Sequence, residues 1–361
     1  MVTPMIIREI DVKDVVTKSN LPVCDYSLNP YVGCEHACKY CYACFMKRFT
    51  GHEEQWGEFV DVKFWKPIAR PEKYAGKEIF IGSVTDPYQP CEEKFGRTRA
   101  VLEQLKGSGV RLSIATKSDL VLRDLDLIRT FPDARVSWSI NTLDERFRAD
   151  MDKAAPVEKR LAALKAFHDA GVRTTCFISP IFPEITDVKA IIERAKDCCN
   201  LIWLENLNLR GAFKPQIMKY ISQKYPKLLP LYRDIYSFNR RDYWEWLDQA
   251  MRDYAQSKGM EYLTNDDTPK RPFDAPPVIV NYFYHSEIKK NPKKWAAFAK
   301  AHKTRKHEQA SAVSCFRLAR LKELESLTFG SVGSQNHCFL GPFRIKNLHI
   351  IMLIFKQISA Y

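Results

Sequence analysis

Between residues 78 and 205 the chain alternates short β-rich runs with amphipathic helical stretches, and nothing else in it restricts the fold as strongly. The strand-like runs are Glu78 to Ser83 (EIFIGS), Val110 to Thr116 (VRLSIAT), Arg135 to Asn141 (RVSWSIN), Val172 to Ser179 (VRTTCFIS) and Asn200 to Glu205 (NLIWLE). Helical patterns lie between them at Gly96 to Lys106, Leu120 to Thr130, Pro156 to Ala170 and Asp187 to Lys196, with apolar residues three and four apart. Apolar strands separated by helices predict a parallel sheet covered by helices, with Gly109 and Gly171 where helix ends pass into the next strand. One further strand before Gly33 brings the total to about six βα units, an α/β partial (βα)6 barrel short of the eight units of a closed one. Chemistry in such sheets sits on the loops after the strands' C-terminal ends.

The 361 residues, 45 % of them hydrophobic, can fill one large α/β domain or two ordinary ones. The expected divisions are an N-terminal lead-in over 1–25, the partial barrel over 26–210, a helix-rich extension over 211–310 and a tail over 311–361 with no clear period. Aromatic residues of the extension, among them Tyr220, Tyr232, Trp244 and Trp246, recur at helical spacing and read as packing. Apolar stretches such as Ile350 to Phe355 are far shorter than the roughly 20 residues that span a bilayer, and Met1 to Asp11 lacks a signal-peptide pattern. A soluble, cytoplasmic protein without membrane contact is expected. Eleven cysteines, an odd number, argue against a full disulfide framework. The formal charge is +13, but Glu287 to Tyr361 carries 14 basic and 4 acidic residues, so the excess belongs to the C-terminal region, including Lys289 to Lys306. It points to an accessory surface for nucleic acid, not to the barrel mouth.

The most specific local signal is Cys34-Glu-His-Ala-Cys38-Lys-Tyr-Cys41, a C-x3-C-x2-C array after Asn29-Pro30-Tyr31-Val32-Gly33. Three thiolates this close can converge on one metal centre, and sulfur ligands select zinc, copper(I) or iron–sulfur clusters. Structural zinc normally takes four ligands in two separated pairs, whereas this is one compact triplet. Cys44 extends the array, and His36 and His52 are further potential ligands. Three ligands on a four-iron cluster leave one iron open to a substrate or cofactor.

The loop and its βα context resemble the radical S-adenosylmethionine (SAM) superfamily. Asn29 to Tyr42 (NPYVGCEHACKYCY), Ile81 to Pro90 (IGSVTDPYQP), Ala115 to Asp126 (ATKSDLVLRDLD) and Leu204 to Gly211 (LENLNLRG) resemble its spore photoproduct lyase-related, DNA repair photolyase-like branch. The resemblance covers roughly residues 20 to 290 and implies an enzyme with a [4Fe–4S] cluster and SAM as cofactors. In that family the reduced cluster donates one electron to the SAM sulfonium, the S–C5′ bond breaks, and a 5′-deoxyadenosyl radical takes a hydrogen atom from the substrate. An external one-electron donor such as a flavodoxin or ferredoxin is implied, with the substrate unassigned and nucleic acid a candidate.

Carried over by motif, the cluster ligands are Cys34, Cys38 and Cys41, and Tyr40 is the aromatic whose backbone meets the adenine. Ser83, Thr85 and Asp86, at the end of the second strand, correspond to groups that face the amino end of methionine. Asp86-Pro87 also reads as a plain turn. Lys117, with Ser118 after the third strand, can pair with the SAM carboxylate or lie on a solvated face. Ser137, Ser139 and Asn141 alternate, so they should share one strand face, with Ser139 and Asn141 nearest the mouth to meet a ribose. Arg160 is open between a role at SAM and a helix-surface salt bridge. Asn206 and Asn208, before Arg210, are the candidates after the sixth strand.

Spore photoproduct lyases carry a hydrogen-donating cysteine at the end of the second strand, where this chain reads Gly82-Ser83-Val84-Thr85. Cys91 is the remaining candidate for a catalytic thiol there, and thymine-dimer repair is put in doubt. Cys44 stands where related sequences often carry arginine, and Cys198-Cys199 reads as buried. The competing reading is a zinc- or cluster-containing nucleic-acid-binding protein without radical chemistry. Zinc alone gives no reason for polar residues at the ends of successive strands.

Overall fold

The computed structural model describes residues 5–21, 23–209, 211, 213–264 and 272–283. The expected tail over 311–361, the basic stretch Lys289 to Lys306 and Arg210 lie outside the described residues. The strands are β1 (Ile6–Asp11), β2 (Val16–Lys18), β3 (Tyr26–Leu28), β4 (Tyr31–Gly33), β5 (Phe59–Phe64), β6 (Glu78–Ile81), β7 (Arg111–Thr116), β8 (Ala134–Ser139), β9 (Arg173–Ile181), β10 (Leu201–Asn206), β11 (Tyr262–Thr264) and β12 (Val278–Asn281). The helices are α1 (Cys91–Phe95), α2 (Arg97–Leu105), α3 (Leu125–Ile128), α4 (Glu145–Met151), α5 (Val157–Asp169), α6 (Val188–Ala195), α7 (Phe213–Lys224), α8 (Leu229–Tyr236) and α9 (Asp242–Ser257).

The main sheet has nine strands in the order β11-β12-β10-β9-β8-β7-β6-β3-β2. Only the β2–β3 pairing in it is antiparallel. The five βα strands expected from periodicity are β6 to β10. The strand expected before Gly33 is present, and one feature at the far edge of the sheet differs from expectation. The first barrel strand is β3, because Asn29-Pro30 turns the chain out of the main sheet and β4 instead pairs with β5 in a separate sheet, β1-β5-β4. At the far edge β12 and β11, from the region expected to be helical, lengthen the parallel array. Only four residues long, β12 is buried at every position, and so brief a run beside a Pro-rich stretch carries little periodic signal.

Burial along β8 alternates strictly, so Val136 and Trp138 face the helices while Arg135, Ser137 and Ser139 face the other way. Trp138 packs edge-on against Phe167 of α5 at 5.2 Å, and α5 offers Val157, Leu161, Leu164 and Phe167 from one stripe. Each such aromatic contributes roughly 1.5–3 kcal/mol by leaving water. The sheet's other face, freed of helices, is left to line a cavity.

Gly33 ends β4 with φ +90°, and a Cβ there would lie 2.2 Å from the Phe59 carbonyl oxygen across the β4–β5 pair. Alanine at Gly33 must both adopt a left-handed conformation and push strand backbones apart. The expected result is a loss of about 3 kcal/mol or more, read as a lowered urea midpoint.

Candidate functional site

A cavity of about 1580 Å³ opens on the inner face of the main sheet, lined in part by Cys34, Cys38, Tyr40 and Cys41 of the loop after β4. Strand ends supply Ser83, Thr85 and Asp86 after β6, Lys117 after β7, Ser137 and Ser139 of β8, and Asn206 and Asn208 at and after β10. Residues up to 174 positions apart in the chain thus meet at one mouth, as parallel βα architecture requires.

The cysteine loop is tied down by the segment after β6. Thr85 Oγ1 donates to the Gly33 carbonyl at 2.5 Å and accepts from Gln89 Nε2 at 3.2 Å. Gln89 Oε1 accepts from the Glu35 N–H at 2.8 Å. Asn29 clamps the same turn, with Nδ2 donating to Ser83 Oγ at 2.9 Å and Oδ1 accepting from the Val84 N–H at 3.2 Å. Asp86 is a junction: its carboxylate accepts from the Tyr88 and Lys117 N–H groups at 2.9 and 2.7 Å and from Thr116 Oγ1 at 2.8 Å, and His36 Nε2 lies 3.0 Å away. Burial pulls its acidity down, but the His36 charge and these donors outweigh it and hold the carboxyl below its usual value. Asp86 therefore turns the chain and also pins the cysteine loop to the end of β7.

A second network fixes Tyr40 and Lys117. Tyr40 donates to Asp152 Oδ2 at 2.8 Å and accepts from Lys117 Nζ at 3.1 Å. Asp152 Oδ1 in turn accepts from Arg160 at 2.9 Å. Arg160 belongs to neither of its expected settings. It is fully buried, and its guanidinium donates to the Ala155 and Ser139 carbonyls and to Asp152, bracing the end of β8 from behind. The Tyr40 ring packs at 5.6 Å on Phe182 within a core cluster that includes Phe147, Leu207 and Ile217. Lys117 makes no ion pair among the described residues, and its one hydrogen bond to Tyr40 leaves donors to spare.

Asn141 departs from expectation in position. β8 ends at Ser139, so the two-residue alternation stops there, and Asn141 is buried and absent from the cavity lining. Its carbonyl accepts from Thr186, while its side-chain Nδ2 has no partner in the protein. Cys91 also lies apart: it opens α1 and packs against Tyr31, Val60 and Val62, outside the cavity lining. Asn208 is exposed at the cavity, and Ser118 serves a turn, accepting from the Leu120 N–H at 3.1 Å. Cys198 and Cys199 are buried, as expected. Sequence reasoning had no handle on Asp152, 112 residues from its partner Tyr40, or on Gln89, whose only signal was its place in the TDPYQP run.

Three thiols on one loop and one cavity fit a cluster. Burial first, and then the charges of Asp86 and of the other two cysteines, push the Cys34 thiol well above its usual acidity range. Cys38 and Cys41 are likewise raised, mainly by burial. Thiolates crowded this way need adjacent positive charge, which iron supplies. All three are free of disulfides, and Asn141 Nδ2 is a buried donor that the protein leaves unpaired. Among the described residues no three His, Cys, Asp or Glu side chains are grouped to hold a single ion.

The sequence model of the Radical SAM superfamily matches residues 28–195, a span that begins before the cysteine loop and runs through α6. The chain belongs to the radical SAM superfamily. As a radical SAM enzyme it uses a [4Fe–4S] cluster and S-adenosylmethionine as cofactors. An uncharacterised protein of Methanocaldococcus jannaschii is 36 % identical over 235 residues, 65 % of this chain and 89 % of that one. One from Mycobacterium tuberculosis is 27 % identical over 227 residues, 58 % of this chain and 67 % of that one. Among solved structures, a spore photoproduct lyase mutant with bound SAM and dinucleoside spore photoproduct matches with a TM-score of 0.44 and 18 % identity, covering 61 % of this chain and 66 % of the other. Streptococcus suis SuiB bound to SAM matches with a TM-score of 0.38 and 12 % identity, covering 55 % and 48 %. The chain thus spans just under two thirds of the lyase. Among the described residues no helix is long and apolar enough to cross a membrane.

Proposed function

We propose that this radical SAM enzyme belongs to the spore photoproduct lyase-related branch, holds its cluster through Cys34, Cys38 and Cys41, and acts on a nucleic acid. The observation that carries the site reading is one cavity in which these thiols meet the Lys117 ammonium, hydrogen-bonded to Tyr40 with donors to spare, and the polar ends of β6, β8 and β10. A purely structural zinc site would not need those strand ends. When bound, the cluster and SAM supply a one-electron reductive cleavage that generates a hydrogen-abstracting radical.

The chain's own residues bind and orient. Lys117 offers the SAM carboxylate a charged donor, held in place by Tyr40 and by the Asp86–backbone bond. Ser83 lines the cavity beside it, Ser139 and Asn206 face the adenosine portion, and Thr85 and Asp86 act by positioning the loop. The cavity exceeds the roughly 300–1,000 Å³ of an ordinary small-molecule site, leaving room for a substrate beside SAM. The nucleic-acid reading draws on the basic excess of Glu287 to Tyr361. Electrons are to come from an external carrier such as a flavodoxin or ferredoxin.

The test is anaerobic reconstitution with iron and sulfide, then dithionite and SAM with and without DNA or RNA, scored by 5′-deoxyadenosine. No SAM cleavage by a fully reconstituted protein would sink the proposal. Lys117→Met should keep its iron yet bind SAM about 10- to 100-fold more weakly by equilibrium dialysis, the value of a hydrogen bond to a charged group. An unchanged affinity would remove Lys117 from the site.

A further inference from the structure

The cavity also reaches the N-terminal end of the main sheet, where its lining includes Arg111, Arg135 and Arg173. Each stands at or beside the first residue of its strand, β7, β8 and β9 in turn. Arg135 and Arg173 are direct partners in the parallel β8–β9 register, so both leave the inner face of the sheet from strands roughly 4.8 Å apart. Like charges side by side repel, a standing cost to the fold. Arg111 is neutralised locally, by Glu78 at 3.0 Å and Asp133 at 2.9 Å. Arg135 is not. It is half-buried and makes no hydrogen bond or ion pair among the described residues, and Ser113, its neighbour on β7, turns its hydroxyl to Glu78. Further along the same face of β9, opposite Ser137, Thr175 is 1 % exposed and its hydroxyl has no partner in the protein.

An arginine pair without a carboxylate of its own and an unmet buried hydroxyl both cost free energy that a bound anion would offset. We propose that this end of the cavity is a phosphate subsite, in which Arg135, flanked by Arg173, holds a phosphate of the substrate while the reacting part of the molecule lies beside SAM. Arg135 stands four residues before Ser139 on β8, roughly 13 Å along the strand, so one extended ligand can touch both ends. Two guanidinium forks from adjacent strands suit a tetrahedral anion, which has oxygens for both, better than a carboxylate, whose two oxygens a single fork fills. The inference rests on the nucleic-acid reading for the source of that phosphate, since a small phosphorylated molecule offers the same chemistry.

The test is anaerobic titration calorimetry of the reconstituted full chain, at physiological ionic strength, with three probes: the dinucleotide thymidylyl-thymidine, its uncharged methylphosphonate analogue, and inorganic phosphate. Arg135→Gln should bind the dinucleotide about 10- to 100-fold more weakly than the native chain does, the value of a hydrogen bond to a charged group. The methylphosphonate should bind both proteins equally weakly. Equal affinity of the two proteins for the dinucleotide overturns the proposal. The variant loses a repelled charge, so its urea midpoint should equal or exceed the native one. Should it fail to fold, the native chain decides, because equal affinity for the dinucleotide and its uncharged analogue overturns the proposal as well. Failure of the underlying reading looks different: inorganic phosphate would then bind in an Arg135-dependent way while the dinucleotide does not, which keeps the subsite and removes nucleic acid as its source. Binding of neither probe by the native chain overturns the subsite itself.

Discussion

Alanine at Cys38 is expected to abolish the cluster and reduce 5′-deoxyadenosine formation to background. The residue stands at the centre of the C-x3-C-x2-C array, lines the cavity, and lies in a setting where burial and the Asp152 charge disfavour its thiolate unless a cation is bound. Losing one of three thiolates leaves two irons of a four-iron cluster without protein ligation. The fold should survive, because the side chain is small and the loop is held independently by Thr85, Gln89 and Asn29. Far-ultraviolet circular dichroism like that of the native chain, together with lost iron absorbance, would separate loss of ligation from unfolding. Cys44→Ala and Cys91→Ala are the informative contrasts. Cys44 packs against the core cluster around Tyr40, and Cys91 lies among Tyr31, Val60 and Val62. Both variants should keep iron and SAM cleavage, and loss of iron in Cys44→Ala alone would make that residue a ligand.

Asp152→Ala should be the most damaging change outside the cysteines. It leaves the fully buried Arg160 guanidinium without its carboxylate, and takes from the Tyr40 hydroxyl its acceptor and from Lys117 a compensating charge. Breaking a buried pair by removing one member costs about 3–5 kcal/mol, a large share of a domain's stability. The same group sets an acid limit. Burial raises the Asp152 carboxyl, but Lys117, Arg160 and the Tyr40 hydroxyl together bring it below its ordinary value. A carboxyl depressed in the folded state contributes stability that is present above its unfolded value of about 3.9 and is lost as pH falls through the lower folded value. Urea midpoints measured from neutral pH downward should therefore fall on acidification in the native chain, and part of that fall should be missing in Asp152→Asn. Equal acid slopes in the two proteins would show that Asp152 does not supply it.

Much of the barrel was legible because its signals are local. Apolar spacing decides which residues are strands and which helices, and β6 to β10 with α2, α5 and α6 fall within a residue or two of their expected spans. The strands contributed by β11 and β12 were not legible, since four buried residues after a Pro-rich stretch carry no period of their own. At the site, Ser137 and Ser139 turned inward as two-residue alternation requires, whereas Asn141 did not, because alternation holds only while the chain remains a strand.

The sequence alone placed three cysteines on one loop and the polar strand ends at one rim of the sheet. Three cysteines within eight positions meet whatever the rest of the chain does, and parallel βα units bring every strand's C-terminal end to one rim. Only the tertiary structure decided how these groups are held: Tyr40 against Asp152, Arg160 turned into the interior, Asp86 bridging His36 and β7, and Gly57 pressed against Ala37 of the cysteine loop. Each contact joins segments far apart in the chain, and its formation depends on packing and on the burial of charge, which no local spacing encodes.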